Sequence, residues 1–315
     1  MYAVADIRWA LPQEKEGIID FIDYVFSKAH RPHDFATLLP KLYGDAGDAA
    51  AHHIIVREEG KIVAALLCYP VVMHAGGRQY MTLGIGSVST HPRARSKGYL
   101  GEMMKLADAR AKELNAVFAV LGGQRQRYQY YGYDHAGYQL RARLETDNVR
   151  HALRNVAAEG IEIAKMTQAH VPAALALLKK QPCCCARSEE AYLEILRSWY
   201  NEPFAVIRDG KAVGFGTKRK NADGCHVAEL LLEQEADFPA VMKRLSQLHG
   251  NISICAAPWE RERAKWLAAV CEEYALQPNN MFKIYDQAQA EELCASLDSF
   301  APIAPPLYVA PPDCV

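Results

Sequence analysis

Three consecutive strand-like segments, joined by short turn signals, constrain the fold of this chain more than any other feature. They lie in "HHIIVREEGKIVAALLCYPVVMHAGGRQYMTLGIGSVSTHP", residues 52–92. The dipeptides Glu59-Gly60 and Gly76-Gly77 separate the segments, and both favour two-residue hairpin turns. Because tight hairpins make neighbouring strands antiparallel, a doubly wound sheet of parallel strands is excluded.

Helical and buried segments flank these strands. Residues 13–30 and 98–114 carry apolar side chains at helical spacing, which predicts two amphipathic helices. A short strand is predicted at residues 4–10, a buried strand at 116–121 and an alternating strand at 139–145. The order predicts an α/β fold with mixed, largely antiparallel sheets and flanking helices.

The second half of the chain repeats this pattern more weakly. "FAVIRDGKAVGFGTKR" is a predicted hairpin that turns at Asp209-Gly210 and resembles the first hairpin. The polar residues 145–160 predict a connection, so we expect two units, residues 1–150 and 151–290. A proline-rich arm ends the chain within residues 291–315, and its Leu307, Tyr308 and Val309 predict that it docks on the protein.

Composition excludes several classes of protein. The 315 residues carry 36 Lys and Arg against 37 Asp and Glu, so the formal net charge of −1 provides no global attraction to nucleic acid or anionic membranes. Without a signal peptide or a long apolar run, we expect a cytoplasmic protein with no membrane partner. The nine cysteines include residues 183–185, expected as packed thiols in a loop rather than metal ligands.

The stretch "RARSKGYLGEMM", residues 93–104, opens the second predicted helix with cations. A helix N-terminus carries partial positive charge and unpaired N–H groups, which acidic side chains usually satisfy. Here Arg95 and Lys97 stand in that place, and this combination predicts a site for an anion such as phosphate. The alternative is that Ser96 caps the helix while both cations are solvated.

Motifs of other nucleotide and metal enzymes are missing. "GIGSVS", residues 84–89, begins like a dinucleotide-binding turn but ends in serine, with no acidic residue at the ribose distance. The sequence has no phosphate-binding loop of the P-loop type, no H-E-x-x-H and no G-x-S-x-G. We therefore expect no metal site.

"VSTHPRARSKGYL" resembles motif A of the GNAT acyltransferases, a strand ending V-x-x-H-P followed by R-x-x-G-x-[GA] and a helix. His91 is expected only to begin the turn. The family's pattern implies two sets of acetyl-CoA contacts: a strand edge for the pantetheine arm, at Val88, Ser89 and Thr90, and a turn for the pyrophosphate, at Arg95, Ser96, Lys97, Gly98, Tyr99, Leu100 and Gly101. Leu100 departs from the pattern, because most members have Gly or Ala there.

This departure resembles the Eis-like branch of the family, which reads R-x-x-G-x-L. "RYQYYGYDHAG" is similar to that branch's Y-x-x-[FY]-G-[FY] stretch, whose first tyrosine is the catalytic acid. The resemblance implies tandem GNAT folds, with residues 1–150 catalytic and 151–290 degenerate. It also implies that Tyr128 is the acid, while the alternative is an aromatic side chain that only packs.

The chain departs from the Eis-like branch near its end. Residues 281–297 resemble the start of that branch's sterol-carrier-like domain, and residues 291–315 would be its truncated remnant. In the branch the C-terminal carboxylate returns to the active site as a general base. The analogue here is the carboxylate of Val315.

Together these resemblances imply an acetyl-CoA-dependent N-acetyltransferase. Its partner would be an amine of a small molecule or peptide, and its tyrosine would protonate the leaving thiolate. A non-catalytic sensor of CoA or acyl-CoA and a partner-binding protein remain alternatives. The residues do not identify the acceptor, and they leave open whether the chain forms a homo-oligomer.

Overall fold

The computed structural model describes residues 5–29, 31–45, 47–299 and 305–315. The chain forms two compact units. The first comprises Met1–His135, Asn280–Leu293 and Cys314–Val315, and the second comprises Ala136–Asn279 and Cys294–Asp313. The tandem GNAT division at residue 150 and the sterol-carrier-like remnant stay predictions.

Strands and helices follow one another along the described ranges. The strands are β1 (Asp6–Trp9), β2 (His53–Glu58), β3 (Lys61–Ala75), β4 (Arg78–Thr90), β5 (Phe118–Leu121), β6 (Asp134–Leu144), β7 (Ile161–Lys165), β8 (Cys183–Cys185), β9 (Glu202–Arg208), β10 (Lys211–Asn221), β11 (Gly224–Leu232), β12 (Asn251–Ala256) and β13 (Glu273–Ile284). The helices are α1 (Lys15–Ala29), α2 (Phe35–Leu38), α3 (Pro40–Tyr43), α4 (Tyr99–Glu113), α5 (Arg125–Tyr128), α6 (Thr146–Ala152), α7 (Val171–Leu178), α8 (Tyr192–Arg197), α9 (Phe238–His249), α10 (Arg261–Val270) and α11 (Gln287–Ala295).

The sheet of the first unit runs β1-β2-β3-β4-β5, and the end of β13 pairs with β5. All of these neighbours are antiparallel except β4 and β5, which run parallel over three residue pairs. The β2–β3 turn is tight because Glu59 and Gly60 both have positive φ, 48° and 76°. These features confirm the predicted mixed, largely antiparallel sheet.

The core of the first unit forms where α4 covers one face of this sheet. Met103, Met104, Ala107 and Ala111 are buried at helical spacing, as the sequence pattern predicts. They share an apolar cluster with side chains of β2 to β4, among them Leu83 of β4. Burial of such side chains stabilises the fold by roughly 1.5–3 kcal/mol for each large one. This packing fixes where α4 begins relative to the end of β4.

The sheet of the second unit runs β6-β12-β11-β10-β9-β7, and its neighbours are antiparallel except β11 and β12. The predicted hairpin at Asp209-Gly210 is present, with φ of 50° and 77° at the two turn residues. Helix α9 buries Val241, Met242 and Leu245 in the core of this unit. The strands of the second unit therefore repeat the predicted hairpin pattern.

Two predictions of local structure are wrong. Residues 145–160 contain α6, because Asn251 Oδ1 accepts hydrogen bonds of 2.9 Å from both N–H and Oγ1–H of Thr146, and Val149 is buried. The residues 183–185 form β8 rather than a loop, with the first and third thiols buried as strand periodicity requires.

The end of the arm is anchored in the second unit by a buried ion network. Leu307 and Val309 are 3% and 5% exposed, which confirms docking for residues 305–315, while residues 300–304 lie outside the described residues. The guanidinium of Arg187 is fully buried and donates to both carboxylate oxygens of Asp313 at 2.8 Å. It also donates to Glu229 at 2.9 and 2.6 Å, so one cation holds two carboxylates.

We expect Arg187→Met to lower the free energy of unfolding by about 3 kcal/mol, because two buried carboxylates lose their cation. Denaturant unfolding measures the change. Arg150→Met is the matched control, since Arg150 and its partner Asp147 are 80% and 82% exposed, and it should leave stability unchanged. Equal effects of the two substitutions would contradict the prediction.

Candidate active site

The end of β4, a turn and the start of α4 are contiguous and form the first part of the candidate site. Gly98 precedes α4 in a left-handed conformation, with φ 82° and ψ 2°, and supplies no capping side chain. A Cβ at Gly98 would meet no heavy atom within 4 Å, so the space beside the helix end is open. Ser96 is exposed with φ 64° and lies outside the helix end, so the alternative in which it caps α4 is wrong.

One of the two positive charges at this turn is paired with a carboxylate. Arg95 and Lys97 are exposed, but Lys97 Nζ contacts both carboxylate oxygens of Glu58 at 2.8 and 2.9 Å. The hydroxyl of Tyr99 also donates to Glu58. These two donors hold the pKa of the Glu58 carboxyl below its usual range. Sequence reasoning missed Glu58 because it lies on β2, about forty residues before the motif.

β4 separates from β5 before it reaches the turn. The parallel pairing of the two strands covers Thr82–Gly84, and in the described part of the chain no strand pairs with β4 beyond Gly84 on that side. A β-bulge lies between Gly86 and Ser89, where two residues of β4 oppose one of β3, and Ser87 has φ 48°. Ser89 and Thr90 therefore pair with β3 on one side, while no described strand covers the other side of this end of β4.

Tyr128 ends α5 and is 6% exposed. Its ring belongs to the same apolar cluster as Leu83 of β4 and Met103 of α4. Burial raises the pKa of the Tyr128 hydroxyl, and the neighbouring Arg127 guanidinium acts in the opposite direction. The side chain is therefore a packed aromatic with a hydroxyl that retains its proton at neutral pH, which suits either of its two predicted roles.

The C-terminal residue lies on β4 of the first unit. A Cβ added to Gly86 would lie 2.7 Å from the carboxyl carbon of Val315, and one added to Gly84 would overlap its Cγ2. Lys41 Nζ of α3 donates to the carbonyl oxygen of Cys314 at 2.7 Å, which holds the preceding residue. The two glycines of "GIGSVS" leave room for the chain terminus.

Near the position of Val315 on β4 lie residues that the sequence did not indicate as functional. Tyr43, on the same short helix as Lys41, contacts Ser87 Oγ at 2.6 Å and His53 Nε2 at 3.2 Å. His91 begins the turn after β4 as expected: its Nδ1 accepts a 3.2 Å hydrogen bond from Arg93 N–H. Tyr43, His53 and Ser87 come together only in the folded structure, so no local signal in the sequence could have identified their contacts.

None of the described helices is long and apolar enough to cross a bilayer. No cluster of three or more His, Cys, Asp or Glu side chains within the described ranges could hold a metal ion.

Comparison with protein families identifies the first part of the chain. Residues 6–140 match the family model described as "Acetyltransferase (GNAT) domain", which confirms the resemblance drawn from motif A. No curated protein matches the chain significantly.

Solved structures of similar fold extend over most of the chain. A probable N-acyltransferase from Enterococcus faecalis V583 has a TM-score of 0.71 at 15% identity, over 90% of this chain and 73% of that one. Eis1 from Mycobacterium abscessus has a TM-score of 0.64 at 14% identity, over 93% and 76%. Saccharomyces cerevisiae N-myristoyltransferase with bound myristoyl-CoA has a TM-score of 0.55 at 12% identity, over 90% and 78%. At such identities the likeness is one of fold, and the likeness to Eis1 agrees with the Eis-like resemblance.

Proposed function

We propose, from the premise that residues 6–140 form an acetyltransferase (GNAT) domain, that this protein transfers an acetyl group from acetyl-CoA to an amine of a small molecule or peptide. The observation that carries the proposal is the open N-terminus of α4. Gly98 offers no capping side chain and leaves the adjacent space empty, so the first-turn N–H groups are available to an anion.

The residues around this helix end fit the two polar parts of the coenzyme. Arg95, Ser96 and Lys97 with the N–H groups of residues 98–101 would hold the pyrophosphate, and Lys97 would share its charge between phosphate and Glu58. The free polar backbone of Val88–Thr90 would align the pantetheine arm as an added strand does. Acetyl-CoA bound there would supply an activated acetyl thioester.

Two groups would manage protons during transfer. The Tyr128 hydroxyl keeps its proton at neutral pH because burial raises its pKa, and so it is able to donate that proton to a leaving thiolate. The Val315 carboxylate lies over Gly86, next to the bulge of β4. From there it would accept the proton that the amine loses as the new N–C bond forms.

We also propose that the protein works in the cytoplasm. Cys68, Cys183, Cys225 and Cys271 are buried and form no disulfide, which agrees with a reducing compartment.

The function is tested by incubating the purified full chain with acetyl-CoA and a panel of amines, while the free thiol released is measured. Polyamines, amino sugars and lysine peptides would represent the acceptor classes. Calorimetry with acetyl-CoA is run in parallel. Binding without turnover would favour the non-catalytic sensor, and absence of binding would refute the proposal.

For the terminal carboxylate, we expect Gly86→Ala to lower kcat about tenfold or more. The new Cβ would stand 2.7 Å from the carboxyl carbon of Val315 and 2.9 Å from its oxygen, so the terminus must move. Adding three glycines after Val315 should have a similar effect, because the charge moves away while the arm remains. Steady-state kinetics of both variants measures the losses.

Combining the two changes separates this role from general damage. If both act by displacing one carboxylate, the double variant should be no slower than either single variant. Gly17→Ala in α1 is the control, since its Cβ would have ordinary contact with Ile62 at 3.8 Å. Normal kcat in the extended protein would remove Val315 from the mechanism.

A further inference from the structure

A buried chain of hydrogen bonds ends at the bulge of β4. Its members are His53 at the start of β2, Tyr43 on α3 and Ser87 on β4, which are 0%, 3% and 8% exposed. The contacts are 2.7 Å from His53 Nδ1 to the Ala49 carbonyl oxygen, 3.2 Å from His53 Nε2 to Tyr43 Oη, and 2.6 Å from Tyr43 Oη to Ser87 Oγ. The mechanism proposed above uses none of these side chains.

The chemistry of the partners decides which atom is the donor in each of these three hydrogen bonds. A carbonyl oxygen only accepts, so His53 Nδ1 carries the proton and donates to Ala49. Burial lowers the pKa of His53 to about 4, with His52 acting in the same direction, so the ring is neutral and Nε2 accepts from Tyr43. The hydroxyl of Tyr43 is then left to accept from Ser87.

Ser87 needs such a partner because its backbone conformation is unfavourable. Its φ is 48°, in the left-handed region that residues other than glycine, asparagine and aspartate rarely adopt. A conformation of this kind persists only where surrounding contacts hold it. The hydrogen bond to Tyr43 is the contact of the Ser87 side chain that does so.

The bulge at this position sets the register of the last residues of β4. Leu67 of β3 pairs with Gly86, whereas Ala65 pairs with Ser89, so Ser87 and Val88 are the two residues that β4 fits against one. Opening this bulge would shift the register of Val88–Thr90 by one residue and turn its side chains and polar groups to opposite sides. The edge assigned to the pantetheine arm would then be lost.

We propose that Tyr43 and His53 are positioning residues for the acyl-CoA edge of β4, and that they act through the hydroxyl of Ser87. The inference rests on the proposed function, since it concerns the edge that would bind the coenzyme. The same short helix that carries Tyr43 also carries Lys41, which holds Cys314. Helix α3 therefore fixes both the bulge and the chain terminus.

Substitutions of Ser87 separate positioning from simple stabilisation. Ser87→Ala removes the hydroxyl but keeps a side chain on the left-handed backbone. The bulge then loses the hydrogen bond to Tyr43, while its backbone strain remains. Ser87→Gly also removes the hydroxyl, but glycine adopts positive φ without cost. We expect the alanine variant to bind acetyl-CoA about tenfold more weakly, which corresponds to the loss of one or two hydrogen bonds between the coenzyme and β4. The affinity of the glycine variant should remain close to that of the wild type.

Tyr43→Phe is the second test, because it keeps the ring and removes the hydroxyl that joins His53 to Ser87. Its affinity for acetyl-CoA should fall like that of Ser87→Ala, and adding Ser87→Gly should restore it. Calorimetry gives the affinities, and thermal unfolding shows separately what each variant loses in stability. A role in stability alone would lower the melting temperature of all variants and leave their affinities unchanged.

The outcomes distinguish this inference from the proposed function. Wild-type protein that binds no acetyl-CoA would refute the function and the inference with it. Wild-type binding with unchanged affinity in Ser87→Ala, or with equal weakening in the alanine and glycine variants, would refute the inference alone.

Discussion

Tyr128→Phe is expected to lower kcat by on the order of 10²–10⁴-fold while the affinity for acetyl-CoA changes by no more than a few-fold. The substitution keeps the ring that packs with β4 and α4, and removes only the hydroxyl proposed to protonate the thiolate. Steady-state kinetics with the best acceptor amine measures kcat, and calorimetry measures the affinity.

The same segment supplies a matched control and a pH test. Tyr130 lies two residues further on and is 87% exposed, so Tyr130→Phe should have no effect on kcat. Because burial raises the pKa of Tyr128, wild-type activity should not fall through loss of this proton until the pH exceeds the usual tyrosine value of about 10. Wild-type kcat in Tyr128→Phe would mean that the ring is only part of the core.

Features with local signals in the sequence could be predicted. The hairpins depend on turn dipeptides such as Glu59-Gly60, in which both residues have positive φ and the glycine adopts it without a steric clash. The helix expected at residues 98–114 is Tyr99–Glu113, because its apolar spacing and the preceding glycine mark both its face and its start. The coenzyme turn was recognisable for the same reason, since its residues are contiguous.

Features that depend on distant partners could not be predicted. Helix α6 has a weak apolar pattern and is held by Asn251, about a hundred residues away. Glu58 of β2 partly neutralises the charge of Lys97 in the turn before α4, and nothing near Glu58 in the sequence predicts this contact. The position of Val315 on β4 requires glycine at residues 84 and 86, because a Cβ there would meet Val315. In the sequence, Gly84 and Gly86 appeared only as part of an incomplete dinucleotide-binding motif.

The left-handed glycine at the start of α4 provides the sharpest test of the phosphate site. Gly98→Asp should weaken coenzyme A binding by about a thousandfold, because a carboxylate about 4 Å from a phosphate in a partly buried site costs on the order of 4 kcal/mol. The cost to folding should be small. Aspartate tolerates left-handed backbone, it is a favourable helix N-cap, and no heavy atom lies within 4 Å of the new Cβ.

Gly98→Asn makes the charge the only difference, because asparagine has the same shape, tolerates the same backbone and also caps helices. We expect it to bind coenzyme A far more tightly than the aspartate variant, and we expect added salt to narrow the gap, since screening weakens exposed repulsion. Calorimetry at two salt concentrations, with melting temperatures for both proteins, measures these differences. Equal weakening in both variants would show that the turn excludes any side chain regardless of charge, and unchanged affinity in both would place the pyrophosphate elsewhere.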